Sequence, residues 1–119
     1  LRIIPGSEKS TRLELRVAGA DMNPYLAIAA SLAAGLYGIE NKMSLDAEPV
    51  RGNAYEINSA PKLPEDLLRA TERFAGSSLA RELFGAAFVE HFAATREWEW
   101  RQSQSSVSDW ELRRYFEII

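Results

Sequence analysis

Residues Thr11-Arg12-Leu13-Glu14-Leu15-Arg16-Val17 alternate strictly between polar and apolar side chains. A period of two fits a β-strand and cannot line one face of a helix. The pattern predicts a strand with Leu13, Leu15 and Val17 on one side and Arg12, Glu14 and Arg16 on the other. Same-face neighbours on a strand lie about 7 Å apart. The polar side therefore presents cation, carboxylate and cation in a row. That row has two readings. It is the solvated face of a half-buried antiparallel strand, or it is a carboxylate that takes a divalent cation while the guanidiniums take anionic oxygens.

The rest of the chain punctuates itself around this strand. Leu1 to Ile4 reads as a short strand stopped by Pro5, and Gly6 to Ser10 as a polar connection. Two strands do not make a stable sheet alone. The pattern thus implies further strands from outside these 119 residues, and the opening on Leu1 inside strand-like sequence is read as a segment of a longer protein. Ala18 to Met22 is a turn, and Asn23-Pro24 places an N-cap and a first-turn proline at the head of a helix. Tyr25 to Ile39 is apolar on nearly every side, which predicts a helix buried on more than one face. Its small residues, among them Ala33, Ala34, Gly35 and Gly38, would let neighbouring backbones come close.

Glu40 to Lys62, with Pro49, Gly52 and Pro61, reads as a long loop in which Val50 to Ile57 docks locally. A second helix opens at Leu63-Pro64-Glu65-Asp66, with two acids in its first turn, and shows an apolar stripe of Leu67, Leu68, Thr71 and Phe74 before Gly76 ends it. Ser77 or Ser78 caps a third helix that runs to Phe84 and closes at Gly85. The longest helix runs from Ala86 past Trp100, with Phe88, Val89, Phe92, Ala93 and Thr95 inward and Trp98 or Trp100 beyond them. Gln102 to Ser106 is polar and predicts an exposed break. Ser108-Asp109-Trp110-Glu111 is a capping box that starts a last helix whose Trp110, Leu112, Tyr115 and Phe116 need burial. The class is α+β: two strands of a larger antiparallel sheet followed by a helical bundle.

Composition excludes several functions. A net charge of −3 gives no electrostatic support to nucleic-acid binding. With no cysteine there is neither a disulfide framework nor a thiolate metal site, which fits a reducing, cytoplasmic setting. One histidine, His91, cannot build a histidine-rich metal site, and its place in a helix beside Phe92 reads as structural. The longest uncharged run, Met22 to Ile39, is near the lower length limit for a membrane span. Its Asn, Pro, Ser, Gly and many Ala make it a buried helix rather than a span, so no membrane partner is expected. Arg96, Arg101, Arg113 and Arg114 alternate with Glu97, Glu99, Glu111 and Glu117 and read as a solvated or interface face.

The polar row on the alternating strand stands apart from these. Arg2 lies on the neighbouring strand and Lys9 in the connection, so Arg2, Lys9, Arg12 and Arg16 gather near Glu14 within sixteen residues of sequence. Guanidinium groups bind phosphate and carboxylate in a fork, and phosphoryl chemistry relies on such positioning and charge stabilisation.

Arg12-Leu13-Glu14-Leu15-Arg16, then Asn23-Pro24-Tyr25-Leu26, then Ala33-Ala34-Gly35-Leu36-Tyr37-Gly38-Ile39 together resemble the C-terminal catalytic region of the glutamine synthetase family. Leu63-Pro64, Ala80-Arg81-Glu82-Leu83-Phe84-Gly85 and the tail from Trp110-Glu111 to Tyr115-Phe116 extend the likeness over essentially the whole chain. The Val17-Ala18-Gly19-Ala20-Asp21 linker resembles the γ-glutamyl-polyamine (putrescine) synthetase branch, since the ammonia-using enzymes usually carry Pro-Asp there. The resemblance implies an ATP-dependent ligase that makes a γ-glutamyl amide from glutamate and ammonia or a small amine through γ-glutamyl phosphate. It implies that Glu14 binds one of a pair of Mg²⁺ or Mn²⁺ ions, and that Arg16 faces the substrate glutamate and its activated carboxyl. It places Lys9 and Arg12 near ATP and Arg2 on its phosphates, although the loop between Arg2 and Lys9 departs from the family pattern. It also implies a ring-shaped homo-oligomer, a dodecamer. The family's other metal ligands lie upstream, so this segment alone is expected to be inactive. The alternative is a non-catalytic relative, a helical interaction or oligomerisation module. Whether Glu14 faces a cleft or open solvent separates the two.

Overall fold

A computed structural model of the chain describes residues 1–45, 48–50, 52–53, 56 and 61–118. It divides into two compact units, Leu1–Val50 and Arg51–Ile119.

The first unit holds a hairpin and one helix. β1 (Arg2–Ile4) and β2 (Arg12–Glu14) pair antiparallel, with Arg2 opposite Glu14, Ile3 opposite Leu13 and Ile4 opposite Arg12. The connecting turn closes on the Ser7 carbonyl, which accepts from the amides of Ser10 and Thr11 at 2.9 Å each. The Thr11 hydroxyl donates to the carbonyls of Gly6 and Ser7, both at 3.1 Å. β2 is shorter than the Thr11–Val17 alternation predicts. In this register Leu15 would lie opposite Leu1, which is outside β1, so the ladder ends at Glu14; Pro5, which has no N–H to give, lies at the other end, opposite Thr11.

α1 (Pro24–Glu40) starts where the Asn-Pro signal predicts: Asn23 Oδ1 accepts from the amides of Tyr25 at 3.0 Å and Leu26 at 3.3 Å. Its expected burial is corrected. None of its residues is buried, and Tyr25 and Ile39 are 84% and 75% exposed. Burial needs a second apolar surface, and the short hairpin is the unit's only other regular element among the described residues. A Cβ placed on Gly35 or Gly38 would meet nothing within 4 Å. Val50 is exposed; of the stretch Val50 to Ile57 that is predicted to dock locally, residues 51, 54, 55 and 57 lie outside the described residues.

The second unit is helical: α2 (Leu67–Ala75), α3 (Ser78–Phe84), α4 (Ala86–Gln104) and α5 (Asp109–Tyr115). α2 begins four residues later than its Leu63-Pro64 signal, because Asp66 Oδ1 accepts from the Arg69 amide at 2.8 Å and so serves as the cap. The two acids therefore sit at and before the cap, not inside the first turn. α2 and α3 both pack on α4. Thr71, Ala80, Val89 and Ala93 form the buried centre, and Val89 is fully enclosed. The buried Thr71 hydroxyl is satisfied by the Leu67 carbonyl at 2.7 Å. Phe74 meets Phe92 edge-on at 5.7 Å between centroids, and Phe92 stacks on Phe88 at 5.6 Å.

Arg81 ties this unit together. Its Nη2 donates to the Ala75 carbonyl at the end of α2 (3.2 Å) and its Nη1 to Glu90 Oε1 on α4 (2.8 Å). Gly85 joins α3 to α4 at φ 82° and ψ 147°, a conformation open in practice to glycine alone. Of the two tryptophans left open by the sequence, Trp100 is half-buried and Trp98 is exposed.

α4 ends at Gln104, inside the polar stretch that predicts a break. The capping box then forms in full: the Ser108 hydroxyl accepts from the Glu111 amide at 3.2 Å, and Glu111 Oε2 accepts from the Ser108 amide at 2.7 Å. Contact with Ser108, its amide first and its hydroxyl second, holds the Glu111 carboxyl below the usual carboxylate range. The burial expected for Trp110, Leu112, Tyr115 and Phe116 is corrected, since all four are exposed. Trp110 and Tyr115 cover each other edge-on at 5.9 Å, and that is too little surface to enclose either ring. No helix among the described residues is long and apolar enough to cross a membrane.

Candidate functional site

Glu14 ends β2, and the hairpin register sets Arg2 directly across from it. Arg12 lies two residues back on the same strand face. Arg16 follows two residues later, beyond the strand. All three converge on one carboxylate. Arg16 Nη2 and Nε both donate to Glu14 Oε2, at 2.8 and 3.2 Å. Arg12 Nη2 stands 3.9 Å from Oε1, and Arg2 Nη1 stands 4.0 Å from Oε2. Only the Arg16 contact is short enough for hydrogen bonds; the other two act through charge alone.

The Glu14 side chain is 27% exposed, while those of Arg2, Arg12 and Arg16 are 60–65% exposed. The carboxylate is thus partly covered by its own arginines, and the guanidiniums face outward. Three cations against one anion leave the group with a surplus of positive charge. It is built to attract an anion with several oxygens, and exposed guanidinium forks match phosphate and carboxylate oxygens.

A divalent metal fits the donor chemistry in part. Glu14 supplies one hard oxygen ligand, and its Oε1 carries no hydrogen bond from the three arginines. Among the described residues no three His, Cys, Asp or Glu side chains gather as a metal site. The remaining ligands would be phosphate oxygens, water or groups outside these residues. The local positive surplus favours a cation that binds together with such anions over a bare one.

Of the residues singled out from the sequence, the structure brings Arg2, Arg12, Glu14 and Arg16 together. Lys9 sits exposed in the hairpin turn and is not among the partners of Glu14. His91 is exposed on α4, in the other unit. The alternation gave no warning that Arg16 would leave the strand and clasp Glu14.

The sequence matches the family model described as "Glutamine synthetase, catalytic domain" over residues 1–115. The chain belongs to the glutamine synthetase family. It is 50% identical to a type-1 glutamine synthetase 2 of Dictyostelium discoideum, over 100% of this chain and 23% of the relative. It is 48% identical to a glutamate–isopropylamine ligase of a Pseudomonas species, over 99% of this chain and 26% of that protein. It is 44% identical to a γ-glutamylethanolamide synthetase of Streptomyces coelicolor, over 98% of this chain and 25% of that protein. The chain therefore spans about a quarter of the length of the curated relatives it matches. The α+β arrangement, a hairpin followed by packed helices, is that of a fragment of the glutamine synthetase catalytic domain.

Proposed function

We propose that this chain is the C-terminal part of the catalytic domain of an ATP-dependent glutamate–amine ligase. The observation that carries the reading is the convergence of Arg2, Arg12 and Arg16 on Glu14 in a member of this family. A helix-packing module has no need of that charged row.

In the proposed reaction the γ-carboxylate of glutamate attacks the terminal phosphorus of ATP and ADP leaves. Ammonia or an amine then attacks the carbonyl carbon of the γ-glutamyl phosphate, loses a proton and expels phosphate. Arg2 holds the nucleotide phosphates, with Arg12 and Lys9 beside ATP. Arg16 orients the glutamate carboxyl and stabilises the charge that builds on it as the phosphoryl group moves. Glu14 would supply one ligand to a Mg²⁺ or Mn²⁺ ion, which when bound would neutralise phosphate oxygens.

The acceptor is proposed to be an organic amine of the polyamine (putrescine) type. The Val17–Asp21 linker and two relatives whose names specify isopropylamine and ethanolamide support this. The proposal includes a cytoplasmic, ring-shaped dodecamer and an inactive isolated segment, since Glu14 is one carboxylate where the ion needs several oxygens. The outward exposure of the three arginines favours the second reading, a non-catalytic interaction or oligomerisation module.

The test is product analysis by mass spectrometry. Full-length protein, ATP, Mg²⁺ and glutamate are incubated with ammonia, isopropylamine, ethanolamine and putrescine in turn. A γ-glutamyl amide with one of the amines supports the ligase and names its acceptor. No amide with any acceptor, from assembled and metal-loaded protein, supports the module.

A further inference from the structure

Arg16 and Glu14 each have a ligand-binding role in the proposed function, yet in this structure they satisfy one another. Arg16 commits Nε and Nη2 to a single oxygen, Glu14 Oε2. A guanidinium engages a carboxylate through a fork of two parallel N–H groups, and the Nε–Nη2 edge is one such fork. While that fork is on Glu14 it is not on a substrate. Glu14 in turn has Oε2 covered by two charge-assisted hydrogen bonds. Arg2 and Arg12 do not compete in this way, at 4.0 and 3.9 Å. The Arg16 backbone lies outside β2 and its side chain is 65% exposed, so it has room to exchange partners.

We propose that the Arg16–Glu14 pair is a latch that couples the two ligands: a divalent cation on Glu14 and a carboxylate on Arg16 each bind more tightly once the other has bound. This rests on the ligase reading of the same site. A cation arriving alone must pull Glu14 from Arg16 and leave the guanidinium without a partner. A carboxylate arriving alone must do the reverse. Arriving second, either ligand meets a pair that is already open. Linkage requires the effect to be equal in both directions. Because Arg16 is well exposed and the pair is screened, the coupling belongs at the low end of the usual range, about five-fold.

The test uses full-length protein without nucleotide and reads binding rather than turnover. Free Mn²⁺ is followed by electron paramagnetic resonance, with and without L-glutamate, and the Mn²⁺ counted is the ion lost in Glu14→Gln. Glutamate is expected to tighten Mn²⁺ binding about five-fold, and Mn²⁺ to tighten glutamate binding by the same factor. In Arg16→Gln, Mn²⁺ alone is expected to bind about five-fold tighter than in the wild type, because its competitor is gone, and glutamate no longer changes it. Arg12→Gln removes an equal charge without a hydrogen bond; it is expected to keep the glutamate effect. Independent binding of Mn²⁺ and glutamate to the wild type would overturn the latch and leave the ligase reading standing. Absence of any Glu14-dependent Mn²⁺ would overturn both.

Discussion

Replacing Gly85 by alanine isolates the cost of a backbone conformation. Gly85 closes α3 and opens α4, and its amide donates to the Arg81 carbonyl at 3.0 Å while its carbonyl accepts from the Val89 amide at 3.2 Å. Its φ of 82° with ψ of 147° lies where a side-chain-bearing residue is strained. A Cβ at this position meets no heavy atom within 4 Å, so steric clash with neighbours contributes nothing. The penalty is then conformational, about 1–3 kcal/mol. Hydrogen exchange at position 85 and at Val89 reads that penalty locally: the same two amides in Gly85→Ala are expected to exchange roughly 5 to 150 times faster, the equivalent of that energy. Amides of α1, in the other unit, serve as the internal reference. Unchanged exchange at both positions in the variant would mean that the positive φ carries no strain, and would refute this reasoning.

Val89→Ala removes two carbons from a fully enclosed side chain, which at about 0.8 kcal/mol per carbon plus a cavity term costs about 2 kcal/mol. Denaturant unfolding followed at α4 should show that loss, whereas Trp98→Ala on the exposed side should cost less than about 0.5 kcal/mol. The Glu111 carboxyl is held below its ordinary range by Ser108, so its folded-state value is depressed. Its contribution to α5 is therefore present above the unfolded-state value and is lost as pH falls through the folded one. Backbone NMR of Ser108 should follow that titration, and Glu111→Gln should abolish the pH dependence.

Local signals in the sequence were legible wherever the deciding partner lay within a few residues. Asn23, Ser77 and Ser108 cap helices as their side chains dictate, and Gly76 and Gly85 end them. The inward set on α4 was legible because α2 and α3 supply the surface that its apolar stripe needs. Burial of α1 and of the Trp110–Phe116 tail was not, because an apolar face states a need for a partner and not its location. At the site, the alternation placed Arg12 and Glu14 on one side, and the hairpin brought Arg2 to them. The alternation put Arg16 on that side too, and Arg16 does reach Glu14, but from beyond the ladder, which ends at Glu14. Lys9 was near in sequence but stayed in the turn.

Glu14 and its arginines are proposed to serve phosphoryl chemistry on glutamate. The most direct measurement is ATP- and glutamate-dependent phosphate release by the full-length, metal-loaded protein with its best acceptor, beside Glu14→Ala. The arginines paired with Glu14 are 60–65% exposed, so the variant should lose about 1 kcal/mol of stability or less and keep its fold. Its phosphate release should nonetheless fall by at least roughly 100-fold. An assembled Glu14→Ala protein that releases phosphate at the wild-type rate would contradict the account.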